Sequence, residues 1–170
     1  MTVLLAAKLG GAVCIVCCGY GIGSAKISAL HRRTVLIADL LHLLELLQAN
    51  FSYQNNALPV FFARDIAQIS FSQLKFSCPT RTEEFYNWKA QFAEQNQLAE
   101  LLTKGELAAF EIYWSSLGDS NAAQELDRLH YYQIQLQYSQ TDAKQKEQQN
   151  VRVYRSLSIS LAAIIALLLL

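Results

Sequence analysis

The chain has 170 residues, 52% hydrophobic and 16% charged, with 14 basic and 14 acidic side chains and a formal net charge of zero. Neutrality gives no support to a nucleic-acid partner, and so little charge with so much apolar surface is unusual for a wholly water-soluble domain. The apolar excess lies at the two ends and leaves about 125 residues between them, enough for one compact domain and not two.

Residues 3–23 are apolar except for Lys8, which lies near one end and can snorkel, so this run is a first membrane-span candidate. Gly23-Ser24-Ala25 also resembles a signal-peptide cleavage pattern, but no side-chain charge precedes Lys8, which favours the span. Cys14, Cys17 and Cys18 fall inside this run with Gly10, Gly11, Gly19 and Gly23, which suits a small-residue helix-packing face better than a metal or redox site. Cys78 stands alone, so the cysteines make no disulfide framework.

Lys26, Arg32 and Arg33 follow the first run, and His31 beside them joins the same basic cluster. Leu36, Ile37, Leu40, Leu41, Leu43, Leu44 and Leu47 then repeat at three and four, a wide helical stripe that other helices must cover. Asn55-Asn56-Ala57-Leu58-Pro59 breaks it. Pro59 suits the first turn of a second helix carrying Val60, Phe61, Phe62, Ile66 and Ile69, expected to run until just before Cys78-Pro79. Thr80-Arg81-Thr82-Glu83 has capping-box spacing and opens a helix with Phe85, Trp88 and Phe92 on one side.

A short segment over 98–102 leads to Lys104-Gly105-Glu106, and the next helix is expected over 107–117. It ends at Gly118, a left-handed C-cap, and helical spacing with other aromatics puts Trp88 and Trp114 in the core. Asp119 or Ser120 is the expected cap of a last helix with no Gly or Pro from 121 to 170. Its middle is rich in glutamine and lysine, good helix formers, and reads as a solvated stalk.

The chain after Arg155 carries no charge and ends in four leucines. About fourteen apolar or hydroxyl residues at roughly 1.5 Å each cover about two thirds of a bilayer's hydrocarbon core, and Arg152 and Arg155 can snorkel to lend another turn. Lys144, Lys146, Arg152 and Arg155 flank this second span on the same side as Lys26, Arg32 and Arg33 flank the first. By the positive-inside rule the middle domain faces the cytoplasm and both termini point outward.

No phosphate-binding glycine loop, nucleophile elbow or zinc-type Cys/His cluster is present in the sequence. The one constellation with metal-site spacing is His42-x-x-Glu45 with Asp127-x-x-His130, half of a di-iron pattern that would need further inward carboxylates. A surface polar pair is the simpler reading, and the expectation is a non-enzyme without catalytic residues, cofactor or metal. The fold expected from the residues is all-α: a compact antiparallel bundle of about five to six helices over 26–150, flanked by transmembrane helices at 1–25 and 151–170.

Beyond these local patterns, Leu43-Leu44-Glu45-Leu46-Leu47 running to Phe51-Ser52-Tyr53 and Leu58-Pro59, Leu117-Gly118-Asp119-Ser120 with Gln124 and Leu126, and the closing Gln148 to Leu157 block with Tyr154-Arg155-Ser156 occur in a specific order. In this order the chain resembles the stage III sporulation protein AB family over nearly its whole length. The resemblance implies a domain similar to the cytoplasmic part of the type II secretion platform protein F, framed by two spans. It further implies a structural component of the channel complex between mother cell and forespore, held in the mother-cell membrane around the forespore. Its partners would be other proteins of that complex, including a cytoplasmic secretion-type ATPase, together with membrane lipids and a possible second copy. The alternatives are a membrane-tethered helical sensor or adaptor and a di-metal membrane enzyme.

Overall fold

The computed structural model describes residues 2–54, 56–79 and 81–169, with side chains described from residue 24 onward apart from 82, 155, 158, 159, 162, 163 and 165–169. Among the described residues every regular element is helical. The chain divides into two compact units, Arg32–Asp142 and the pair of segments Met1–His31 and Ala143–Leu170.

Helix α1 spans Thr2–Ala49. Its three-four stripe does what the spacing demands: Leu36, Ile37, Leu40, Leu41, Leu43, Leu44 and Leu47 are all buried. The helix gives way to a π-helical turn, Asn50–Gln54. Buried Asn50 then closes the loop, its Oδ1 accepting from the Asn56 N–H and its Nδ2 donating to the Asn56 carbonyl, both at 3.1 Å.

Helix α2 begins at Leu58–Val60 with Pro59 in its first turn, and continues as a π-helical turn, Phe61–Asp65, and a 3-10 turn, Ile66–Gln68. The helix expected to reach Cys78 stops here, because Ile69 is extended at φ −92°, ψ 131°. The residues after it form a strap whose backbone is satisfied from outside. Asp39 of α1 accepts from the Gln73 and Leu74 amides, and Asn96 accepts from the Lys75 amide and donates to its carbonyl. With its polar groups paired this way the strap needs no helix, and it delivers Leu74 and Phe76 to the core.

Helix α3, Thr82–Gln95, buries Phe85, Trp88 and Phe92. Its N-cap is Arg81, without a side-chain cap; Thr80, the partner expected for Glu83, lies outside the described residues. A short α4, Leu98–Leu101, precedes α5, Lys104–Ser116. The capping box is on α5: Thr103 Oγ1 accepts from the Glu106 amide and Glu106 Oε2 accepts from the Thr103 amide. The helix therefore starts three residues earlier than the sequence reading placed it, because the Thr-x-x-Glu cap outweighs the cost of Gly105 in the first turn.

Helix α6 runs unbroken over Ala122–Leu169 and is capped by Asn121, whose Oδ1 accepts from the Gln124 amide at 2.9 Å, and not by Asp119 or Ser120.

Phe62, fully buried, is the hub of the Arg32–Asp142 core, with ring centroids of Phe61, Phe76, Phe85, Trp88 and Trp114 within 6.1 Å. Phe92 stacks on Trp114 at 4.5 Å and Tyr113 on Tyr132 at 5.0 Å, which bring α3, α5 and α6 together. In the other unit, His31 Nδ1 meets Glu147 Oε1 at 2.9 Å and Lys26 Nζ stands 6.0 Å from the Tyr154 ring centroid.

Among the described residues one stretch, Ser24–Gln54, is long and apolar enough to cross a membrane, and 44% of its most apolar window is buried. That burial is the Leu36 to Leu47 stripe, so much of this apolarity serves the core. The spans expected over 1–25 and 151–170 fall mostly on side chains outside the described residues.

Phe62→Ala is expected to cost about 3–5 kcal/mol, because it removes the ring that the other aromatics share. Chemical denaturation of the detergent-solubilised full chain measures the loss, which the same change at exposed Tyr86 should not reproduce.

Candidate functional site

The short motifs Leu58-Pro59 and Leu117-Gly118-Asp119, about sixty residues apart in the sequence, meet at the turn between α5 and α6. Gly118 has φ +93°, a conformation that L side chains rarely adopt, and a Cβ there would lie 2.7 Å from Leu58 Cδ1. The backbone therefore calls for glycine at this position, and any Cβ there would also have to push aside the terminal methyl of Leu58.

Three charged side chains hold the turn. Lys89 on α3, only 7% exposed, donates from Nζ to the carbonyls of Ser115 and Leu117 at 2.9 and 2.6 Å. These carbonyls at the end of α5 lack intrahelical partners, and an ammonium also suits the negative end of the helix. Trp114 Nε1 returns a bond to the Lys89 carbonyl at 2.8 Å. Burial lowers the Lys89 pKa below the usual lysine value, against the opposing pull of the Asp119 and Glu125 carboxylates.

Glu125, 1% exposed, accepts through Oε1 from the Gly118 and Ser120 amides, each at 3.2 Å, and from Arg128 Nη2 at 3.1 Å. Arg128 also donates to the Ser116 carbonyl and to Ser120 Oγ. A carboxylate so fully supplied with donors is a structural anchor for the turn.

At the other end of α5, Arg33 Nη2 donates to Glu106 Oε1 at 2.8 Å, with Asp142 Oδ2 at 4.0 Å. Burial pushes the Glu106 carboxyl up, but the Thr103 backbone N–H, the Arg33 guanidinium and the Thr103 and Ser139 hydroxyls outweigh it and hold the group below its usual value.

The basic residues singled out in the sequence separate into different environments. Lys26, Arg32 and Arg152 are exposed, Arg33 is turned into the domain, and the Arg155 side chain lies outside the described residues. Tyr154 receives Lys26, and Ser156 Oγ donates to the Val153 carbonyl of its own helix. His42 Nδ1 and Glu45 Oε2 form an exposed pair at 3.7 Å, while Asp127 and His130 are exposed on α6. No three His, Cys, Asp or Glu side chains among the described residues are grouped to hold a metal ion.

Lys89, Glu125 and Arg128 were not singled out in the sequence. Their signal was a charge at an apolar register: Lys89 lies four residues after Phe85 and three before Phe92, and Glu125 four before Leu129.

The sequence model of stage III sporulation protein AB (spore_III_AB) matches residues 8–170. The chain belongs to that family. Membership in the stage III sporulation protein AB family makes this a sporulation-related protein, and the match takes in both halves of the Leu58 and Gly118 junction. No curated protein and no solved structure matches the chain.

Gly118→Ala is expected to cost about 1–3 kcal/mol from the left-handed backbone, with part of any further loss recovered in a Leu58→Ala background. A double-mutant cycle of denaturation midpoints checks the coupling. For Glu106 the folded-state pKa is depressed, so its contribution to stability is complete above the unfolded carboxylate range and is lost as pH falls through the folded value. Glu106→Gln should flatten that acid limb in a pH series of melting temperatures.

Proposed function

We propose that this protein is a membrane-anchored structural platform in the channel complex between mother cell and forespore, with its helical domain in the mother-cell cytoplasm docking the complex's secretion-type ATPase. The observation that carries the reading is α6. The helix contributes core residues Leu129, Tyr132 and Leu136 to the Arg32–Asp142 unit, and the same unbroken helix continues to Leu169 in the apolar tail. A helix without Gly or Pro over such a length is suited to transmit position or force along its axis. Membership in the sporulation family supports a role in spore formation, and the complex and its motor are what the resemblance to the secretion platform protein implies. The flanking basic residues, including exposed Lys26, Arg32 and Arg152, favour the cytoplasmic side.

Topology is the first test, and Cys78 is a poor reporter of it. The thiol is half-buried and burial pushes its pKa up to about 11, so little of the reactive thiolate exists at neutral pH. Gln145 is exposed on α6. With the four native cysteines replaced by serine and the chain expressed in vegetative cells, whose cytoplasmic membrane faces the medium, Gln145→Cys should react with a membrane-impermeant maleimide only after the cells are permeabilised. Labelling in intact cells would put the domain outside the cytoplasm, beyond reach of a cytoplasmic motor.

A further inference from the structure

Helices α5 and α6 are antiparallel: Arg128 bonds the Ser116 carbonyl at one end, Tyr113 stacks on Tyr132 midway, and Ser139 bonds Glu106 at the other. Between them on the outer side lies an open groove of about 600 Å³. Gly105, Ala108 and Ile112 line it from α5 at helical spacing, and Tyr131 lines it from α6. A Cβ on Gly105 would meet nothing within 4 Å, so the space there is empty and not merely tight. Ile112 is 71% exposed and Tyr131 67%, large apolar surfaces left in water on the groove's two walls. The floor includes Tyr113 and Tyr132, 5% and 4% exposed, and neither hydroxyl has a hydrogen-bond partner among the described residues.

The charges give the groove a direction. Arg128 is balanced by Glu125, whereas exposed Asp127, which lines the groove at the Ser116 end, and exposed Lys104, next to Gly105 just beyond its opposite end, have no ion pair among the described residues. An occupant that complements this has a basic residue at the Asp127 end, an acidic residue at the Lys104 end, and a bulky apolar stripe between them. A second copy presenting the same groove would set one concavity against another and leave both unfilled. A single helix supplies the missing ridge, and small residues on the wall allow its backbone to come close.

We infer that the α5–α6 groove docks an amphipathic helix of a protein partner, oriented by Asp127 and Lys104. The test rests on the platform reading in taking the purified cytoplasmic ATPase of the channel complex as the probe, with the full chain in lipid nanodiscs. Wild type should bind, Gly105→Leu and Ala108→Trp should each weaken binding by about tenfold or more, and Asp127→Lys by roughly threefold. All three positions are exposed, so melting temperatures should stay near wild type, and Tyr86→Ala on α3 should bind normally. If wild type binds and the groove variants bind within roughly twofold of it, the groove proposal is overturned while the platform reading stands. If wild type does not bind, the ATPase-docking reading fails and the groove proposal with it. A photo-crosslinker at Ile112 should join the ATPase; a crosslink only to another copy of this chain would replace the helix with a self-association surface.

Discussion

A carboxylate with almost no water around it holds the α5–α6 hairpin. Burying the Glu125 charge is unfavourable unless donors replace its hydration, and the turn is shaped to supply them: two backbone amides converge on one oxygen, with Arg128 beside them. Those amides point the right way only when Gly118 takes its left-handed conformation, and Gly118 leaves the space that Leu58 fills. Lys89 completes the arrangement from α3 by occupying the carbonyls at the end of α5. The direction of α6, the stacking of Tyr113 on Tyr132 and the groove between the helices all depend on this turn.

What could be seen in the sequence was whatever depends on neighbours three or four residues away. The leucine stripe of α1, the aromatic face of α3 and the glycine stop after α5 are local patterns, and each describes a feature of the folded chain. Where two local signals competed, the sequence was harder to weigh: Gly105 looked like a boundary, but Thr103 and Glu106 cap the helix across it. The strap after Gln68 was illegible for a different reason. Its amides are paired by Asp39 and Asn96, 34 and 21 residues away, and no window of sequence contains both ends of such a bond. The same holds for the site, where Lys89, Glu125 and Arg128 had a faint signal as charges in apolar registers but acquire meaning only once α3, α5 and α6 are adjacent.

For the proposed platform role, the distribution of polar bonding matters as much as the apolar core. The Arg33, Glu106 and Asp142 cluster ties α1, α5 and α6 at one end of the hairpin, and Lys89, Glu125 and Arg128 tie α3, α5 and α6 at the other. A domain pinned at both ends of one helical hairpin resists shear between those helices, and the surface between the pins stays in fixed register.

The strap has a consequence for the order of assembly. Its bonds require both Asp39 on α1 and Asn96 at the end of α3, so it cannot close until these distant parts of the chain have met. Such a segment can take its bonded form only after α1 and the end of α3 are adjacent. Opening it would also draw Leu74 and Phe76 away from the aromatic cluster around Phe62, so the segment acts as a latch that leaves the core incomplete whenever it lifts.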